Sequence, residues 1–223
     1  MKVRVLSILT AGALILAVAG LMAPGASASR APRLSHHGMA PAQPHSRAGT
    51  IYSQNDNDAA IGVTSQNFET SFDAYDNSGA DDFKLTKKHA VSEVDVTGVY
   101  FNCYTCGPAV SESVTFYKNA GGLPGSVVKS ATATGTDDAG SFAIKIKKVK
   151  LKPGTYWVGV VANMDFNTGG QWGWETRSVQ SGSPGAWENP GDGFGTGCTS
   201  WGVQTTCLAQ GAGPDYMFAL LGS

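Results

Sequence analysis

Charge and histidine are scarce in this chain. Of its 223 residues 15% are charged against 42% hydrophobic, and only one of the four histidines, His89, lies beyond residue 50. A highly charged disordered chain is thereby excluded. A Ser-His-Asp triad would have to use His89, which follows Lys87-Lys88 and has no GxSxG elbow to serve. No P-loop, Rossmann fingerprint or HExxH helix is present, so the common nucleotide and zinc-protease chemistries have no carrier. The 29 glycines follow no three-residue period, which excludes collagen, and the length suits one domain with a real core. The formal charge of -1 conceals an asymmetry. Five of the 16 basic side chains (Lys2, Arg4, Arg30, Arg33, Arg47) precede residue 51 without a single acid, leaving 11 basic against 17 acidic side chains beyond it, a net of -6. An acidic domain with no basic-aromatic stripe has little drive toward phosphate backbones, so nucleic acid is not an expected partner.

The first 28 residues read as an export signal. A cationic start, Met1 to Arg4, precedes an apolar run from Val5 to Met22, and Ala26-Ser27-Ala28 supplies the small-x-small pattern of a cleavage site. The alternative is an uncleaved anchor, since about 18 apolar residues can just span a bilayer. The cleavage pattern favours export into the medium or periplasm, with no membrane association afterwards. Residues 29–50, rich in Pro, Ala, Ser and His, read as a flexible leader; His36, His37 and His45 lack a nearby Cys or acid to complete a metal site.

Residues 51–223 read as a single all-β domain. Short runs of β-branched and aromatic residues recur between Gly, Asn, Asp and Pro clusters, without a capped helical stripe. Val91 to Phe101, Val114 to Lys118, Phe142 to Leu151, Tyr156 to Met164, Trp172 to Arg177 and Asp215 to Leu221 are the clearest strands. The alternation slips by one residue at Lys147-Lys148, which predicts a β-bulge. About eight to ten strands in an antiparallel, jelly-roll-like sandwich are expected.

Ala80-Asp81-Asp82-Phe83, Gly122-Leu123-Pro124-Gly125 and Pro153-Gly154-Thr155-Tyr156-Trp157, with the strands between them, carry a resemblance. Over roughly residues 80–160 the chain resembles poorly characterised secreted bacterial β-sandwich domains, found alone or appended to exported enzymes and surface proteins. The resemblance implies a jelly-roll-like scaffold and an accessory role, and transfers no catalytic residue. A distinct activity would lie in residues 165–214.

Four cysteines in an exported chain can pair in three ways. Cys103 with Cys106 and Cys198 with Cys207 need the least rearrangement and are preferred, although spacing leaves the crossed pairings open. A redox CxxC would open a helix in a βαβ unit, and a zinc ribbon would need a second CxxC, so structural disulfides are expected.

Two constellations point to ligands. Loop acids, among them Asn55 to Asp58, Asp73, Asp76-Asn77 and Asp137-Asp138, offer hard oxygens, and Asp81 with Asp82 is the best single candidate for a structural calcium; solvated turn acids are the plainer reading. All five tryptophans lie at or after position 157. Trp172 and Trp174 share one strand face by period-two geometry. They would stack on sugar rings if exposed and fill the core if not. Asn163, Asp165, Gln171, Glu175 and Arg177 could add hydrogen bonds. The glycine-rich stretch 181–214, with Trp187 and Trp201, reads as a long exposed loop of functional kind.

The sequence therefore predicts a secreted, non-catalytic binding module for carbohydrate or a cell-envelope ligand, with Trp172, Trp174, Glu175, Arg177, Trp187 and Trp201 as its site. The first alternative is a structural or adhesion protein of the cell surface or matrix. The second is a small hydrolase pairing Glu175 with Asp165, Glu188 or Asp192.

Overall fold

Alternating apolar residues along short runs do produce strands, 17 of them in the computed structural model, which describes residues 31–37, 47, 49–208 and 211–223. In chain order they are β1 (Ser35–His37), β2 (Thr50–Ser53), β3 (Asp58–Thr64), β4 (Gln66–Asn67), β5 (Ser78–Leu85), β6 (His89–Val96), β7 (Gly98–Phe101), β8 (Ser111–Asn119) and β9 (Pro124–Ala133). There follow β10 (Thr136–Asp138), β11 (Ser141–Leu151), β12 (Gly154–Asn163), β13 (Gln171–Arg177), β14 (Ala186–Glu188), β15 (Gly202–Val203), β16 (Asp215–Tyr216) and β17 (Phe218–Gly222). A 3-10 helix, Thr70–Tyr75, and the single turns α1 (Phe166–Gly169) and α2 (Gln204–Cys207) are the described helical elements. The expected signal peptide and most of the leader lie outside the described residues.

Three sheets form an antiparallel sandwich. In sheet A the order is β1-β3-β13, and the far edge of β13 is shared between β7 and β16. Sheet B runs β10-β11-β6-β17-β2, and sheet C runs β15-β14-β5-β12-β8-β9, with β4 added in parallel to the end of β12. Sheets A and B share two chains. The stretches read as the single strands 91–101 and 215–221 are each broken once, at Thr97 and at Met217, where they pass from one sheet to the other. A closed ring of backbone hydrogen bonds marks the crossing: Glu175 N–H to Thr97 O (2.9 Å), Met217 N–H to Glu175 O (2.9 Å) and Thr97 N–H to Met217 O (3.3 Å). The bulge expected at Lys147-Lys148 is present, as a register shift of β11 against β6 between Lys145 and Val149.

The core lies between sheet C and the other two. Phe83, Phe116, Val158 and Val160 from one side meet Val94, Ile144, Trp172, Trp174 and Phe218 from the other. A smaller cluster of Ala80, Trp157 and Ala186 sits apart, covered by Tyr117, Leu123 and Trp201. Four of the five indoles (Trp157, Trp172, Trp174, Trp187) have no exposure. Each donates its ring N–H, to Asn119 Oδ1, Gly140 O, Met217 O and Thr64 O respectively, so burial leaves no unpaired donor. Trp172 needs the bare backbone of Gly98, where any Cβ would collide with the indole.

Two expectations are corrected. Part of the leader is ordered: β1 pairs with β3, Pro32 is buried, Gln171 bonds both the N–H and the carbonyl of Arg33, and His36 stacks on Phe101 at 5.0 Å. The compact unit accordingly begins at Pro32. Residues 181–214 are no open loop either, because β14 pairs with β5, β15 pairs with β14, and the Cys198–Cys207 disulfide ties α2 to the segment.

This burial predicts a specific fluorescence response. Iodide is expected to quench little of the native emission, and Trp201→Phe to remove most of what is quenched. Strong quenching that survives Trp201→Phe would contradict the placement of the other four indoles.

Candidate functional site

The residues expected to bind a ligand are turned to internal duty. Trp172, Trp174 and Trp187 have no surface on which a sugar could stack, and only Trp201 is partly exposed, edge-on to Tyr117 at 5.7 Å. The reason is geometric. Alternate residues of β13 face the core, and the stretch that holds Trp187 folds back onto β5. Arg177 is buried and held by Asp56 (2.6 Å), Asp215 (3.3 Å) and Ser181 Oγ (2.9 Å). Gln171 holds Arg33 in place.

Glu175 is fully buried at the sheet A–B crossing, and neither carboxyl oxygen has a hydrogen-bond partner. Burial, then the nearby Asp58 carboxylate, pushes its carboxyl up to about 8. So enclosed, it does not meet the exposed Asp165 or Asp192 as an acid–base pair.

Asp81 and Asp82, the calcium candidate, project to opposite faces of β5 by strand alternation. Asp81 is buried, and its oxygens already accept from Gln54 Nε2 (2.8 Å), Tyr216 N–H (2.6 Å) and Asp82 N–H (2.7 Å). Burial and the Asp215 charge raise its carboxyl well above the usual range. Asp82, on the other face, accepts from Ser183 N–H, and burial pushes it up to about 6. Calcium needs six to eight converging oxygens, so this pair does not fit the ion. Among the described residues no three His, Cys, Asp or Glu side chains gather to hold a metal.

The pairing Cys103–Cys106 and Cys198–Cys207 is the local one, with Cα separations of 5.2 and 5.8 Å. Two disulfides fit an extracellular or otherwise oxidising environment. Among the described residues no helix is long and apolar enough to cross a membrane.

A different set of side chains does line a cleft. At the end of sheet C where β4, the starts of β5 and β8 and the end of β12 meet, a cavity of ≈ 300 Å³ is walled by Gln66, Asn67, Asp76, Asn77 and Asn163. Ser78 and Ser113 add hydroxyls, and Val161 and Pro190 add the apolar portions. Gln66 is locked: Nε2 donates to Met164 O (2.9 Å) and Gly170 O (3.1 Å), and Oε1 accepts from Trp172 N–H (2.7 Å). Asn163 Nδ2 donates to Ser111 and Ser113. The Asp76 carboxylate accepts Phe68 N–H (2.7 Å), and Asn189 Nδ2 donates to the carbonyls of Ala74 and Asp76, both at 2.8 Å, fixing the 3-10 helix against the 189–194 segment. Half-buried Phe72 and Tyr75 flank that turn, edge-on to Phe166 (5.2 Å) and Phe194 (5.1 Å).

Asn77 is the unsatisfied member. Its Nδ2 donates to Tyr75 O, whereas its Oδ1 is buried without a partner, an arrangement that ordinarily costs about 1–3 kcal/mol. In sequence, Asp76-Asn77 read only as loop oxygens and Asn163 only as an accessory to the tryptophans. Nothing local marks the cleft, because the two-residue strand β4 and its parallel pairing with β12 bring its walls together.

Comparison with known proteins finds no matching family model, no matching curated protein and no matching solved structure.

Two outcomes are expected. Excess EDTA or added calcium should leave the melting temperature unchanged, while Asp81→Ala should destabilise by about 3–5 kcal/mol in urea unfolding by stranding its buried donors; a calcium-dependent melting point would sink this account. The second concerns pH. In the unfolded chain Glu175 titrates near its ordinary 4.5, so the folded state keeps a proton that the unfolded state releases between 4.5 and about 8. Stability therefore falls as pH rises through that window, by at most ~1.4 kcal/mol per pH unit from this group. Asp82 and Asp215, each pushed up to about 6 chiefly by burial, act in the same direction over its lower part. Glu175→Gln should melt several degrees above wild type at about pH 8 and close to it at about pH 5, whereas parallel curves would show that Glu175 titrates normally.

Proposed function

We propose that this is a secreted, non-catalytic binding protein whose amide-lined cleft takes a neutral, hydroxyl-rich ligand, one ring of a carbohydrate chain or a comparable polyol. Carboxamides and hydroxyls both donate and accept, which matches sugar hydroxyls that also do both. No Arg or Lys lines the cleft to select a phosphate or carboxylate, and Val161 and Pro190 are too little apolar wall for a greasy ligand. A volume of ≈ 300 Å³ suits a single ring rather than a long segment. The observation that carries the reading is the convergence of the carboxamides of Gln66, Asn67, Asn77 and Asn163 and the hydroxyls of Ser78 and Ser113 on one cavity. The two disulfides and the apolar, Ala-x-Ala-terminated N-terminus support work outside the cell.

The test is a neutral glycan and polyol array probed with the disulfide-bonded protein. Binding is expected, weakened about tenfold by Asn163→Ala, at a partly exposed position of the cleft wall, through loss of one hydrogen bond. Asn67→Tyr, at an exposed position of the cleft wall, should abolish it by filling the space. Binding indifferent to both changes would place the site elsewhere, and silence across the array would leave the structural or adhesion role.

A further inference from the structure

The acidic domain carries its basic charge very unevenly. Its eleven basic side chains are ten lysines and Arg177, and Arg177 is consumed by Asp56 and Asp215. All ten lysines are exposed, and among the described residues none forms an ion pair with a carboxylate. Eight of the ten fall in two segments, 84–88 and 145–152, and neither the stretch 84–92 nor 143–155 contains an acid.

The topology brings these segments side by side. The β5–β6 turn and the β11–β12 turn both cross from sheet C to sheet B at the same end of the sandwich, since Leu85 pairs with Gly154 in one sheet and His89 with Leu151 in the other. Lys84, Lys87, Lys88 and Lys152 therefore neighbour one another there. From that corner the remaining lysines, 145, 147, 148 and 150, run back along β11 over about 20 Å, at about 3.3 Å per residue. The bulge between Lys145 and Val149 keeps Val149 and Leu151 in the core while adding an extra lysine to the solvent side. Glu93, directly across from Lys145, does not neutralise the row because Arg47 holds it at 2.8 Å.

We infer that this lysine row is a second binding surface, and that its ligand is an anionic polysaccharide, a chain bearing carboxylate, sulfate or phosphate groups. Charge complementarity selects a polyanion, and an extended row suits a linear chain better than a compact anion. Lysines are point charges without the planar fork that reads one anion bidentately, so recognition is of charge spacing rather than of one group. The side chains that would signal other polyanions are missing. Single-stranded nucleic acid needs aromatic stacking platforms, and membrane surfaces are held by apolar anchors beside the basic residues. Among the described residues the exposed large apolar ones are Tyr104, Val110, Val127 and Val179, none of them in either lysine segment. The row stands independently of the amide cleft, which lies at the other end of β12.

The experiment measures binding of the intact, disulfide-bonded protein to heparin, to polygalacturonate, to neutral dextran, to a single-stranded oligonucleotide and to vesicles of phosphatidylglycerol with phosphatidylcholine. Heparin and polygalacturonate are expected to bind, with affinity falling steeply as salt is raised, whereas dextran, which only the amide cleft could hold, should show no dependence on salt or on the lysines. Lys147→Glu/Lys148→Glu/Lys150→Glu should weaken both by at least tenfold, while Lys118→Glu/Lys129→Glu, an equal charge change per residue outside the two segments, should cost far less. Unchanged melting of the triple variant separates lost binding from lost folding. Three outcomes would overturn the inference: no binding to either anionic glycan, equal loss from both sets of variants, or tighter binding to the oligonucleotide or the vesicles.

Discussion

A single buried carboxyl group, that of Asp81, joins all three sheets. It sits on β5 of sheet C, takes the side-chain N–H of Gln54 from just beyond the end of β2 in sheet B, and takes the backbone N–H of Tyr216 on β16 in sheet A. Such a group costs several kcal/mol to bury and is tolerated only when its lone pairs are filled. Its three donors fill them, and the geometry they demand fixes how β2, β5 and β16 lie together. Gln54 strengthens the junction by donating to Tyr216 O as well. Asp215, next in chain to Tyr216, is then held by Arg177, which reaches back to Asp56 near the start of β3. The polar interior is thus one connected assembly that specifies which strands meet, while the aromatic core around it supplies the bulk of the burial.

That assembly explains why the expected ligand residues became structural. Once β16 is pinned against β5, β13 lies between β3 and the β7/β16 pair, and every residue of it is covered. Its aromatic face closes on Phe142, Tyr216 and Phe218, with Trp174 stacked on Tyr216 at 4.6 Å. Glu175 on the opposite face has its backbone spent on the crossing of two chains between sheets, and its carboxyl is left without partners. The cost falls on stability at high pH rather than on folding at mildly acid pH.

Strand identity was legible because it rests on local alternation: β8, β11, β12 and β13 fall where period two places them, and the β11 bulge is visible as a one-residue slip. The local disulfides were legible for a similar reason, since both join residues within one connection. Exposure was not. Alternation gives two faces and does not say which is covered, so Trp172 and Trp174 served equally well as platform or core. The breaks at Thr97 and Met217 also carry no local mark, because they follow from hydrogen bonds among residues 42 to 120 positions apart in sequence. The cleft was invisible for the same reason, Gln66, Asn77 and Asn163 being distant in sequence until β4 docks beside β12.

Net charge and local charge differ in this domain. A net of -6 describes the long-range field, but a ligand within a Debye length, about 8–10 Å at ordinary ionic strength, responds to the nearest few side chains. The lysines of β11 discourage edge pairing and so satisfy a folding requirement, yet four of them where one or two would protect an edge is more than that requirement explains. Arg47, at the margin of the row, neutralises the two acids that would otherwise intrude on it, Glu93 and Asp95. β12 spans ten residues, about 30 Å at about 3 Å each, and carries the amide cleft at one end and the lysine corner at the other. The two proposed surfaces, one neutral and one cationic, lie too far apart to compete for one ligand. Were both proposed surfaces occupied, a small sandwich would cross-link two polymers, and the binding and the structural readings of the sequence would coincide.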